Sequence, residues 1–157
     1  MPKNVLVAMD ESARAMEAVD FVARSLSTAC RVTLFAVMRP ADLLCEMDTG
    51  ALKGYLAAHH PDYCREVDAQ KEALLTAALD AGRKRLLEAG FAPERVATRL
   101  KRMETDIALD IVAESRNGYD LLVLGRRGLS TVKGFFLGSV SQKVFNHAKE
   151  ISILVVQ

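Results

Sequence analysis

The sequence predicts an α/β fold, a three-layer sandwich around a five-stranded, mostly parallel, doubly wound sheet. Two observations carry this. Four segments, Asn4 to Met9, Arg31 to Met38, Asp120 to Leu124 and Ile151 to Val156, are nearly unbroken apolar runs rich in Val, Leu and Ile, the pattern of strands buried on both faces. Between them, apolar residues recur every three or four positions, as in helices that press one side against a sheet. Strands of this kind alternating with helices are satisfied by a parallel sheet with right-handed crossovers and helices on both faces.

Taken in order, the Asn4 strand is followed by Ser12, a candidate N-cap, and by Met16, Val19, Val22, Ala23 and Leu26 at helical spacing. After the Arg31 strand comes an irregular stretch, residues 39–66, with Pro40, Gly50, Gly54, His59, His60 and Pro61. It is too long for a tight βα turn and reads as an insertion, a lid or a short extra helix. The spacing predicts a second helix from about Val67 to Ala89, with Leu75, Leu79, Gly82 and Leu86 on one stripe and Gly90 as a left-handed stop. Arg95 to Lys101 alternates Val96, Thr98 and Leu100 with polar neighbours, which suits an edge strand with one wet face. A third helix, about Asp106 to Arg116, presents Ile107, Ala108, Ile111 and Val112; a last one starts near Gly138 with Val140, Val144 and Ala148 on one face.

The chain has 157 residues, a length expected to form one domain over residues 1–157. Lys and Arg number 21 against 20 Asp and Glu, a net charge of +1, so nothing global points to nucleic acid or an anionic membrane as partner, and any anion site must be local. The N-terminus lacks the pattern of a signal peptide, and the apolar runs are far short of the roughly 20 residues that cross a bilayer. Cys30, Cys45 and Cys64 form no C-x-x-C pair, which suits reduced thiols and a cytoplasmic location.

The chemistry concentrates in residues 125–141, where the Asp120 strand gives way to the last helix. Gly125 and Gly128 let the backbone turn sharply and approach a ligand closely. Gly138 and Ser139 open a helix whose free N–H groups and positive dipole end attract phosphate, and the Ser139 and Ser141 hydroxyls add donors there. The stretch is neither a Walker A loop, which needs a lysine directly after the second glycine, nor the dinucleotide G-x-G-x-x-G. Its spacing, G-x2-G-x9-G-S/T, resembles the ATP-binding signature of the universal stress protein family, with Gly125, Gly128, Gly138 and Ser139 in register. The opening strand followed by Asp10-Glu11-Ser12, the strand before the signature and the apolar C-terminal strand resemble the same family.

That resemblance implies an adenine nucleotide alpha hydrolase-like fold with ATP, ADP or AMP bound across the tips of strands one, two and four. It implies that Ala8 and Asp10 border the adenine and ribose and that Val37, with Ala36, flanks the base. Leu124 and Gly125 would line the entrance for sugar and phosphate, Gly128 would make a close backbone contact, and Gly138, Ser139, Val140 and Ser141 would hold the phosphates. Asp10 is also placed to meet a water on Mg2+, with no protein residue expected to ligate metal directly. Pairing of the Ile151 to Val156 strand with its symmetry mate in a homodimer is implied as well, and that strand has no proline or lysine to blunt its edge. Glu11 departs from the family, which often has a small residue there, and so do Met103 and Glu104, where many relatives have a glycine.

Other chemistry is weakly supported. His59, His60, Asp62 and Cys64 match no standard zinc spacing, His147 has no partner acid, and Arg126, Arg127 and Lys133 could neutralise phosphate charge but read first as solvated loop charges. The S-G-G-x-D and H-x-G-H strings of adenylating enzymes are absent. The expected function is therefore a nucleotide-responsive regulatory or stress-survival protein with an unidentified protein partner. The alternatives are a nucleotide-independent dimeric interaction module of the same family and, further off, an ATP-hydrolysing or adenylating enzyme.

Overall fold

In the computed structural model the described residues are 1–41, 59, 61–126 and 137–157. They form strands β1 (Asn4–Met9), β2 (Arg31–Met38), β3 (Val96–Arg102), β4 (Leu121–Gly125) and β5 (Ser152–Val156). Helices α1 (Ala13–Ser25), α2 (Pro61–Glu88), α3 (Ile107–Ser115) and α4 (Ser139–His147) alternate with them. The sheet order is β3-β2-β1-β4-β5, and each neighbouring pair is parallel.

Strand alternation divides the core into two layers. Val5, Val7, Val32, Leu34, Ala36 and Val123 face one side and pack with Val19 and Val22 of α1 and Leu75, Leu79 and Leu86 of α2. Leu6, Ala8, Phe35, Val37, Leu122 and Leu124 face the other side and meet Ile111 and Val112 of α3 and Val144 of α4. Because β1 is covered on both faces, Val5, Leu6 and Val7 are fully buried, which is why its sequence does not alternate. β3 lies on one edge as predicted, and most of its residues after Val96 are exposed or half-buried. β5 lies on the other edge, and its four apolar residues are only half-buried.

Local chemistry sets the element ends. Ser12 caps α1, its hydroxyl accepting from the Ala15 N–H at 3.3 Å. Asp106 caps α3 by accepting from Ala108 and Leu109. Gly90 ends the second helix region in the left-handed conformation, at φ +95°. Asp120 ties two strand starts together, since its Oδ2 accepts from the N–H groups of Lys3 and Asn4, both at 2.8 Å.

Two expectations change. The second helix begins at Pro61 rather than at about Val67. Proline suits a first helical position and Asp62 the positive end of the dipole, while the exposed Tyr63, Arg65 and Glu66 give the first turns no apolar stripe to read. The rest of the irregular stretch, residues 42–58 and 60, lies outside the described residues. In α4 the buried side chains are Ser141 and Val144, not Val140, which is exposed.

Candidate functional site

The chain passes from β1 outward through β2 to β3, then returns to place β4 on the other side of β1. Connections leave the sheet in opposite directions at this point, so a crevice opens beyond the carboxyl ends of β1 and β4. The cavity found there has a volume of about 360 Å³, within the range of roughly 300–1,000 Å³ typical of small-ligand sites. Ala8 to Ser12 after β1, Val37 and Arg39 at the end of β2, and Leu124 and Gly125 at the end of β4 form its floor and sides. Ile107 and Ile111 of α3, Lys71 and Leu75 of α2, and Gly138 to Ser141 at the start of α4 complete the wall.

One end of this cavity suits an anion. Gly138, the N-cap of α4, has no side chain with which to satisfy the first N–H groups of the helix, in contrast to the capped starts of α1 and α3. The exposed end of the helix dipole is therefore turned to the cavity. Its position is fixed from three sides. The Gly138 N–H donates to the Arg126 carbonyl at 2.9 Å, and the Ser141 hydroxyl donates to the Gly125 carbonyl at 2.8 Å. Lys143 reaches the Asp106 carboxylate at 3.3 Å. Burial pushes the Asp106 carboxyl up, but the Lys143 hydrogen bond and the Leu109 and Ala108 N–H donors outweigh it and hold the group below its ordinary range.

The other end carries charges of both signs. Asp10 Oδ1 accepts from both the N–H and the hydroxyl of Ser12, so this carboxylate organises the turn into α1. Glu11 Oε1 is paired with Lys71 Nζ, joining the start of α1 to α2 across the cavity rim. Arg39, directly after β2, also lines the cavity. Among the described lining residues, the carboxylates Asp10 and Glu11 are matched in number by the cations Arg39 and Lys71.

Of the residues singled out in the sequence, Ala8, Asp10, Val37, Leu124, Gly125, Gly138, Ser139, Val140 and Ser141 all border this cavity. Ala36 does not: alternation along β2 turns its side chain into the α1/α2 core while Val37 faces the α3 side. Gly128, Arg127 and Lys133 lie outside the described residues. The Ser141 hydroxyl is engaged by Gly125, so what Ser141 offers a ligand is its backbone N–H. Among the described residues no group of His, Cys, Asp and Glu could hold a metal ion, and Cys30 is buried with its thiol donating to the Pro2 carbonyl.

The whole chain, residues 1–157, matches the model of the universal stress protein family. This protein belongs to that family. Solved structures agree on the fold. The hypothetical protein MJ0577 superposes with a TM-score of 0.75 at 22% identity, covering 98% of this chain and 94% of that one. The universal stress protein UspA of Lactobacillus plantarum gives 0.69 at 22% identity, covering 99% and 97%. A universal stress protein in complex with cAMP gives 0.59 at 22% identity, covering 99% and 97%. Comparison with curated protein sequences gives no match. Among the described residues no helix is long and apolar enough to cross a membrane.

Glu11, Ser12, Arg39 and Lys71 are polar wall residues that sequence reasoning did not place in the site. Lys71 precedes Leu75 by one helical turn, and both line the cavity, so continuing the Leu75 stripe toward the N-terminus would have found it. Arg39 carried no signal beyond its position directly after β2.

Proposed function

We propose that this universal stress protein binds an adenine nucleotide in the crevice beyond β1, β2 and β4, and acts as a nucleotide-responsive regulatory protein. The observation that carries the reading is the uncapped N-terminus of α4, with Gly138 and Ser139, at the wall of a cavity at the sheet's switch point. In this reading the backbone N–H groups of Ser139, Val140 and Ser141 hold the phosphates, with the Ser139 hydroxyl as a further donor. Ala8, Val37, Leu124 and Ile111 provide apolar surface for the base, and Asp10 lies toward the ribose or a water on Mg2+. Phosphate chemistry fits the donors present, because the uncapped N–H groups and the positive dipole end of α4 stand in the cavity wall. A fold neighbour in complex with cAMP is in keeping with nucleotide as the ligand class.

The proposed assembly is a homodimer through β5, whose half-buried Ile153, Leu154, Val155 and Val156 form an unblunted edge. A nucleotide-independent interaction module is the second reading, favoured by the Glu11 carboxylate in the cavity wall. Titration of ATP with Mg2+ into nucleotide-free protein decides between them. Binding lost in Gly138→Asp is the outcome of the first reading, and no heat at millimolar nucleotide is the outcome of the second.

A further inference from the structure

The two edges of the sheet differ in chemistry: β5 is largely apolar, whereas β3 carries Arg99, Lys101 and Arg102 and no carboxylate. Backbone groups are open along β3. The Met103 N–H donates to the Met38 carbonyl at 2.8 Å, and the register from Val32↔Val96 to Met38↔Arg102 is unbroken. By alternation Ala97, Arg99 and Lys101 also turn their backbone groups toward β2, so those of Thr98, Leu100 and Arg102 point away from the sheet. Among the described residues no strand lies beyond them, and Ala97, Thr98, Arg99 and Arg102 are exposed.

Two of the three cations are held from beneath, one on each face of the strand. On the α3 face, Arg99 Nη1 donates to Glu114, a side chain only 10% exposed against 56% for Arg99. On the α2 face, Arg102 Nη2 donates to Asp68 at 3.0 Å, with 21% exposure against 58%. A chain approaching this edge therefore meets guanidinium before carboxylate, and each guanidinium has more N–H donors than its carboxylate takes up. Lys101 is held between Glu104 and Asp110. Cations on an edge strand repel a second copy of that strand, which guards against self-pairing. They attract an acidic one.

We propose that the β3 edge is the docking surface for an extended acidic segment of a partner protein, which joins the sheet as a further strand. The backbone of that segment pairs with Thr98, Leu100 and Arg102, and its carboxylates meet Arg99 on one face and Arg102 on the other. Main-chain pairing supplies affinity in this mode of recognition, and the alternating side chains supply the choice of partner. The proposal depends neither on the nucleotide site nor on pairing through β5, which lies at the opposite edge.

The test titrates the full chain into a labelled, end-capped peptide as long as β3, read by fluorescence anisotropy. In this peptide pairs of glutamates alternate with pairs of valines, so that carboxylates stand on both faces when it is extended. One control has lysine for glutamate; the other has every backbone nitrogen methylated, which keeps the carboxylates but cannot pair as a strand. Wild type is expected to bind the acidic peptide and neither control, and the amides of Thr98, Leu100 and Arg102 should exchange hydrogen fast in the free chain and slowly in the complex. Arg99→Gln and Arg102→Gln should each weaken binding by about two- to fivefold. Thr98→Pro removes an outward N–H and no bond to β2, and should weaken it by about tenfold or more. Should Thr98→Pro fail to fold, the methylated peptide and the arginine variants decide. The proposal is overturned if wild type does not bind at millimolar peptide, if either control binds as well as the acidic peptide, or if the arginine variants bind unchanged. It is overturned too if the three amides are already protected in the free chain, or if Thr98→Pro converts a wild-type dimer to a monomer, which would put a second copy on this edge.

Discussion

Gly138 is the residue on which phosphate binding and helix capping compete. Its backbone is extended, at φ −67° and ψ 158°, a conformation open to any residue, so its value lies in having no side chain. An aspartate there would cap α4 with its own carboxylate, a favoured N-cap arrangement worth a few tenths of a kcal/mol over glycine. Gly138→Asp is therefore predicted to melt no lower than wild type while its affinity for ATP falls by at least about a hundredfold, or roughly 2.7 kcal/mol. Calorimetric melting and titration of the same preparation check both halves. A second prediction concerns Asp120, whose carboxyl is held below its ordinary value chiefly by the N–H groups of Asn4 and Lys3. A lowered folded pKa means stabilisation that is complete above the unfolded value of about 3.9 and lost as pH falls through the lower folded value. The stability gap between wild type and Asp120→Asn, read from urea melts, should thus be constant near neutrality and shrink below about pH 4.

At the scale of elements, Gly82 allows α2 to lie close on the sheet. A Cβ built there would meet Leu34 Cδ1 at 2.9 Å and Met9 at 3.2 Å, both in the packed core beneath the helix. Gly82→Val is predicted to destabilise by about 1–3 kcal/mol through overpacking, measured by denaturant unfolding. The site should feel the shift, because Met9, Leu75 and Lys71 all line the cavity. The cap of α3 makes a separate prediction: Asp106→Ala should cost about 0.5–2 kcal/mol, and it also releases the Lys143 tether on the phosphate-facing helix. Elements whose chemistry is local were legible in the sequence. Ser12, Gly90 and the apolar runs of β1 and β2 announce themselves because a cap, a left-handed stop and a doubly buried strand each depend on near neighbours. The start of α2 did not, since its first turns, with exposed Tyr63, Arg65 and Glu66, carry no apolar stripe.

For the whole molecule, the switch between β1 and β4 is what gathers segments from the two ends of the chain into one crevice. From the sequence, alternation showed only that β3 lies at an edge, and the family resemblance implied that strands one, two and four converge on the site, because the rest of the strand order follows from long-range pairing. It did not show the Glu11–Lys71 pair, which forms only once α2 is folded against the start of α1. The half-buried β5 edge leads to the proposed dimer. Val155 belongs to neither of the two apolar clusters, so Val155→Lys should leave the protomer folded and shift sedimentation from dimer to monomer. A wild type that sediments as a monomer at all concentrations would remove the dimer from the account.

The central claim, that the crevice is a nucleotide site read by the α4 N-terminus, is tested most directly by titrating ATP with Mg2+ into wild type and Gly138→Asp, both confirmed free of co-purified nucleotide. Micromolar binding by wild type and none by the equally stable variant is the predicted result. Absence of binding by wild type, or undiminished binding by the variant, would contradict it.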